Sequence, residues 1–167
     1  MIEAARPATP GDLEVLTRLA ETAVAELRPQ RGGDLWSRRE ARPGSVGAAL
    51  ARLLGDDDAL VVVGTIDDVI VGYGIVRAED LHDGTTLAVV DDLYVEPGAR
   101  EVGIGELVMD ELLAWATARG CVGIDALALP GNRAAKNFFE RFGLTARAIL
   151  VHRSLPAAGD APPPETA

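Results

Sequence analysis

One cysteine, one lysine and two histidines are all that a chain of 167 residues offers toward three common chemistries. Cys121 stands alone and cannot close an internal disulfide, so nothing marks the chain as secreted. Lys136 is the only lysine, and 16 basic residues face 26 acidic ones for a formal net charge of −10. Phosphate-rich partners draw their affinity from clustered cations, so binding to nucleic acid is disfavoured. His82 and His152 are far apart in the sequence, and nothing around either has metal-ligand spacing. The run Asp56-Asp57-Asp58 lacks the alternation and the distal glutamate of a calcium loop and reads as a solvated turn, so no metal site is expected. No apolar run approaches the ~18 residues that would span a bilayer. The first residues, MIEAARPATP, carry acid and proline where a signal peptide needs an apolar core. A cytoplasmic location without a membrane partner is the expectation.

What is present is globular: 48% apolar and 25% charged residues, with no internal repeat. One domain is expected over residues 1–155, followed by a tail, residues 156–167, whose composition (AAGDAPPPETA) buries nothing and predicts disorder. Ile2 to Ala8 alternates weakly, as a short strand would. Leu13, Leu16, Leu19, Ala20, Ala23, Val24 and Leu27 recur at helical spacing, predicting a helix over 11–28. Residues 29–44 read as a long loop with Trp36 as its one large apolar residue, and Val46 to Leu54 as a second helix capped by Ser45. Ala59–Ile66 and Val69–Arg77 are β-branched runs joined by a hairpin turn at Asp67-Asp68, and Thr85–Val95 is a third strand. A helix is predicted from about Gly103 to Arg119, a strand over Val122–Leu129, a short helix over Asn132–Phe142 and a last strand over Leu144–Leu155. The order β-α-α-β-β-β-α-β-α-β is that of an α+β fold.

The chemically informative stretch is VVDDLYVEPGAREVGIG, residues 89–105. A strand runs into a tight turn and then Arg100-x-x-Gly103-x-Gly105 at the start of the longest helix. Glycines let a ligand approach the backbone, and a helix N-terminus offers unpaired N–H groups with about half a positive charge. Together these form an anion site suited to a pyrophosphate. The loop is neither of two better-known phosphate motifs: GxxxxGK is absent, and the third glycine of GxGxxG would fall at Val108.

This segment, with Leu93-Tyr94-Val95-Glu96-Pro97 before it, resembles the acetyl-CoA motif of the GNAT superfamily of N-acetyltransferases. A second stretch, Asn132-x-x-Ala135-x-x-Phe138-Phe139-Glu140-Arg141-Phe142-Gly143-Leu144, resembles that family's next signature about thirty residues on. The resemblance implies a mixed, mostly antiparallel central sheet flanked by helices, in which a splayed strand pair holds acetyl-CoA. It implies that backbone groups of Leu93, Tyr94 and Val95 bond the pantetheine arm. The loop Arg100, Glu101, Val102, Gly103, Ile104 and Gly105 would hold the pyrophosphate, with Arg100 adding a permanent charge. Asn132, Lys136 and Phe139 would lie along the cofactor, and Trp36 over the acceptor.

The reaction so implied is acetyl transfer to a primary amine, either a small molecule or a protein amino group. An alkylamine titrates near ~10.4, so a group must accept its proton. Asp91 and Asp92 precede Leu93-Tyr94-Val95. Strand alternation puts them on opposite faces unless a bulge intervenes, and likeness to diamine acetyltransferases favours Asp91 as base with Asp92 in reserve. Phe139 stands where family members often carry a proton-donating tyrosine. A thiol leaves tolerably without an acid, and Tyr94, Tyr73 or water are substitutes, so catalysis is expected. A sensor module that binds acyl-CoA without turnover is the alternative. A homodimer is a further option, since dimers are common in the family.

Overall fold

Where consecutive strands are joined by a two-residue type I′ turn, both residues adopt left-handed backbone conformations and the turn matches strand twist. In the computed structural model, which describes residues 1–158, Asp67 and Asp68 do so, with φ of 46° and 66°. They join β2 (Ala59–Ile66) to β3 (Val69–Asp80). The Asp67 carboxylate also accepts the Ile2 N–H at 2.9 Å. That contact sits at the start of β1 (Glu3–Pro7), which pairs antiparallel with β2. Strand β4 (Thr86–Val95) pairs antiparallel with β3, and β5 (Ile124–Ala126) pairs parallel with β4. The sheet order is β1-β2-β3-β4-β5, mostly antiparallel.

Alternating residues of these strands build two cores. On one face Val61, Val63, Tyr73, Ile75 and Tyr94 pack against Leu16, Leu19, Ala20, Ala23 and Leu50. These helical residues belong to α1 (Leu13–Leu27) and α3 (Val46–Leu54). On the other face Val62, Val76, Ala88 and Val90 meet Val108, Met109, Leu112, Ala116 and Phe139, from α4 (Ile104–Ala118) and α5 (Arg133–Arg141). Strand glycines beneath helix α4 leave room for its side chains against the sheet. A Cβ at Gly64 would fall 2.5 Å from Ile104 Cγ2, and one at Gly74 2.6 Å from Val108 Cγ1.

Two features of β4 shape the site. Opposite it, Ile75 pairs with Asp92 and Val76 with Val90, so Asp91 is an extra residue, a β-bulge. Beyond Val90, β4 has no partner on its β5 side among the described residues, because the parallel ladder stops at Ala126. From Asp91 on, that edge of β4 is left without a ladder.

The structure departs from the sequence reading in three places. The long loop contains a short helix, α2 (Gly33–Arg39), entered through Gly32 in a left-handed conformation. Seven residues with two large apolar side chains carry no readable period. Strand β5 is three residues long where eight were expected. No strand forms over Leu144–Leu155: Leu144 packs against the α4-side core and residues 145–155 follow as exposed chain. Strand propensity expresses itself only against a partner ladder, and this segment has none in its own chain among the described residues. Residues 159–167 of the expected disordered tail lie outside the described residues.

Candidate active site

The bulge decides where the two acids point. Val90 and Leu93 both join the α4-side core, whereas uninterrupted alternation would have put Val90 and Asp92 there. Asp92 therefore turns to the opposite face, where Tyr73 donates its hydroxyl to Asp92 Oδ2 at 2.6 Å. Asp91 turns to the same face. Its carboxylate accepts Arg77 Nε at 3.1 and 3.0 Å, and Arg77 lies two residues from Ile75 of that core. The expected opposition of the two carboxylates is thus corrected to a shared face, because the extra residue shifts the alternation by one.

Their environments differ. Asp92 is clamped by Arg42, which donates Nη1 at 2.8 Å and Nη2 in a second, short contact, and by Tyr73. Burial, then the Asp92 charge, pushes the Tyr73 phenol well above its ordinary value and keeps it a donor. For Arg42, burial works against the charge, but the hydrogen bond and charge of Asp92 prevail and the net direction is up. Asp91 is less constrained. Burial raises its carboxyl above the ordinary value, the Arg77 charge opposes the rise and the neighbouring Asp92 charge adds to it. It lines a cavity of about 390 Å³ with Arg42, Pro43, Ala49, Arg52, Leu53 and Asp56.

Backbone groups of β4 continue the site. Thr86 and Ala88 bond Val122 and Gly123 on the β5 side. At the other end the Glu96 N–H donates to Val71 O at 2.8 Å, toward β3. Counting back by two, Tyr94 and Asp92 also face β3, so Leu93 and Val95 turn their N–H and C=O groups to the opposite edge of β4, where Val95 O is taken by Arg100 Nε. The Tyr94 side chain lies in the α1-side core, with its hydroxyl 3.3 Å from Glu26 Oε2.

After β4, Glu101 and Gly103 adopt left-handed conformations, φ 66° and 93°. The Leu107 N–H bonds Gly103 O at 3.1 Å as α4 begins, so the N–H groups of Ile104, Gly105 and Glu106 have no partner within the helix. A left-handed residue followed by a right-handed one aims successive N–H groups into one concavity, an anion nest. Open space surrounds Gly103, whereas a Cβ at Gly105 would stand 3.2 Å from Phe138 Cε2. The first glycine serves backbone geometry and the second the packing of α5. Glu101 and Val102 are exposed at the rim.

Arg100 does not point into this nest. Its Nε donates to Val95 O at 2.8 Å, its Nη2 to both Glu26 oxygens at 2.8 Å, and its guanidinium lies 5.5 Å from the Tyr94 ring centre. The expected free cation is neutralised by Glu26 of α1. Asn132 uses its Oδ1 to cap α5, accepting the Ala135 N–H at 3.0 Å, and Lys136 pairs with Glu140 at 2.6 Å on the surface. Phe139 is buried in the α4-side core, edge-on to Phe138. Trp36 is half-buried on α2.

The structure therefore gathers Asp91, Asp92, Leu93 and Val95 on one strand and leads it into the nest at Gly103. Sequence reasoning missed Glu26, Arg42 and Arg77. Each meets its partner of opposite charge (Arg100, Asp92 and Asp91) across 74, 50 and 14 residues, a separation no local motif encodes.

Residues 19–144, most of the chain, match the model of the acetyltransferase (GNAT) family. No curated protein matches the chain. Among solved structures, a transcriptional regulator from Bacillus halodurans C-125 is 24% identical, with a TM-score of 0.68 over 92% of this chain and all of that one. AAC(6')-Iy, in complex with a bisubstrate analogue of coenzyme A and acetylneamine, is 16% identical, with a TM-score of 0.72 over 93% and 99%. An aminoglycoside acetyltransferase from an uncultured soil metagenomic sample is 22% identical, with a TM-score of 0.68 over 93% and 97%. At these identities the likeness is one of fold.

Proposed function

Because the chain belongs to the GNAT acetyltransferase family, we propose that it is an acetyl-CoA-dependent N-acetyltransferase acting on a primary amine, a small molecule in first place and a protein amino group in second. The carrying observation is the course of β4: a bulge that turns two acids to one face, an edge without a partner strand, and an anion nest at its end. The nest and the edge fit a ligand with a pyrophosphate at one end and amides along its length. Gly103 leaves the concavity open, and the N–H groups of Ile104, Gly105 and Glu106 would take the phosphates. The Leu93 C=O and the Val95 N–H would take the amides, since Val95 O accepts Arg100 Nε.

When bound, acetyl-CoA supplies the thioester whose carbonyl the amine attacks. The chain's own residues do the rest. Asp91, directly or through water, accepts the proton of the incoming ammonium and so exposes its lone pair. The Leu93 N–H, on the edge of β4 beyond the β5 ladder, polarises the carbonyl oxygen, a role worth several kcal/mol where water is excluded. Asp92, held by Arg42 and Tyr73, fixes the bulge that aims Asp91. Phe139 offers no proton, so the thiol departs as its anion or takes a proton from water. The acidic body of the protein, net −10, favours a cationic acceptor. Three structural neighbours are named as aminoglycoside acetyltransferases, and aminoglycosides are cationic amines in keeping with that charge.

The second reading, an acyl-CoA-binding sensor, is favoured by Phe139 alone. Thiol release from acetyl-CoA, measured against polyamines, aminoglycosides, amino acids and N-terminal peptides, separates the two. Turnover with at least one cationic amine is expected. Cofactor binding without thiol release across the panel would establish the sensor instead.

A further inference from the structure

The cavity beside Asp91 holds more charge than the transfer of one proton requires. The cations nearest the β4 acids are already committed, Arg42 to Asp92 and Arg77 to Asp91 and Glu79. Arg52, exposed in the last turn of α3, is not. Among the described residues it has no ion-pair partner and donates no side-chain hydrogen bond. Four residues on, the Asp56 carboxylate accepts the Asp58 N–H at 2.9 Å through Oδ1 and, among the described residues, has no cationic partner. Opposite charges at this spacing ordinarily pair along a helix. Gly55 ends α3 between them, and the two stay unpaired in the wall of one cavity, with Pro43 and Leu53 as apolar lining.

We propose that the acceptor is an α-amino acid with an amine on its side chain, an inference that rests on the acetyltransferase reading above. An α-carboxylate beside an α-ammonium is the complement of a free guanidinium beside a free carboxylate. Arg52 takes the first, with the two-point geometry a guanidinium allows, and Asp56 the second. The methylene chain lies along Pro43 and Leu53, and the side-chain ammonium meets Asp91. That ammonium gives one proton to Asp91. Its nitrogen then bonds the acetyl carbon as the C–S bond breaks, the electron pair stays on sulfur, and a second proton passes from nitrogen through water to the thiolate. The volume agrees: about 390 Å³ is near the lower end of the ~300–1,000 Å³ usual for ligand pockets, room for a metabolite-sized acceptor. A plain diamine has nothing to offer Arg52, and an amino acid without the α-amine has nothing to offer Asp56. The net positive charge of such an acceptor suits a protein of net −10.

Calorimetric titration of the protein with lysine and ornithine reads the site without turnover. Each is compared with the diamine that lacks its carboxylate and with the amino acid that lacks its α-amine. Thiol release from acetyl-CoA is measured on the same set. At least one of the two is expected to bind about tenfold tighter, and to turn over about tenfold better in kcat/KM, than either of its analogues. Its product carries the acetyl group on the side-chain nitrogen. Arg52→Gln should erase the preference over the diamine and Asp56→Asn the preference over the other analogue, with circular dichroism unchanged at these two exposed positions. The wild-type comparison stands whether or not a variant folds. Diamines that match both amino acids, preferences that survive the substitutions, or acetylation of the α-nitrogen would overturn the proposal. Selective binding without thiol release would overturn the acetyltransferase reading and keep the amino-acid site, whereas thiol release with diamines alone would do the reverse.

Discussion

A carboxylate at its ordinary pKa of ~3.9 is a poor acceptor for the proton of an alkylammonium near ~10.4, a gap worth roughly 9 kcal/mol. Each unit by which burial raises Asp91 narrows that gap by about 1.4 kcal/mol, which gives the half-sheltered position beside the cavity a chemical purpose. The same residue scale separates two roles for Arg100. As a brace, it ties the β4 end and the glycine loop to α1 through Glu26. Replacing either Arg100 or Glu26 by Ala should then raise the KM for acetyl-CoA, with a stability loss of at most about 1 kcal/mol for a half-exposed pair. If Arg100 instead met the phosphates itself, Glu26→Ala would free it and lower that KM. Steady-state kinetics on the two variants distinguishes these outcomes.

At the scale of elements, the seating of α4 on the sheet sets where its N-terminus stands relative to β4. Gly74→Val would place methyl groups into Val108 and Leu112 and should cost about 1–3 kcal/mol, read as a lower denaturation midpoint. Helices α1, α3, α4 and α5 and the β2–β3 turn were legible because each is written in a local period or a local cap. Helix α2 was not, since its seven residues carry no stripe. The bulge at Asp91 was not, because it is a property of register between β3 and β4, and neither strand alone shows it. That single extra residue decides the site, for it moves Asp92 and Tyr94 to the α1 face and Leu93 to the α4 face. The motif Arg100-x-x-Gly103-x-Gly105 was legible as a loop, but not as a division of labour between a backbone glycine, a packing glycine and a neutralised arginine.

For the whole molecule, folding and acidity are linked through Asp12. The Arg6 guanidinium, helped by the Thr9 N–H and hydroxyl, holds the Asp12 carboxyl well below its usual range. A carboxyl lowered in the folded state stabilises the fold above its unfolded pKa of ~3.9, and that contribution is lost as pH falls toward the folded value. Asp12→Asn should therefore melt about 2–4 °C below wild type at neutral pH, for a loss near 1 kcal/mol, with the gap closing below pH ~4 in a calorimetric series. Asp91 has the opposite sign. Its carboxyl is raised by the fold, so the ionised form is disfavoured there at neutral pH, and Asp91→Asn should melt no lower than wild type. Function and stability thus part at this residue. The most direct test of the account is kcat at neutral pH for wild type and Asp91→Asn with a primary amine that turns over, beside the KM for acetyl-CoA. Loss of the base predicts a kcat lower by about 10²–10⁴ with that KM unchanged, and a variant that keeps wild-type kcat would contradict it.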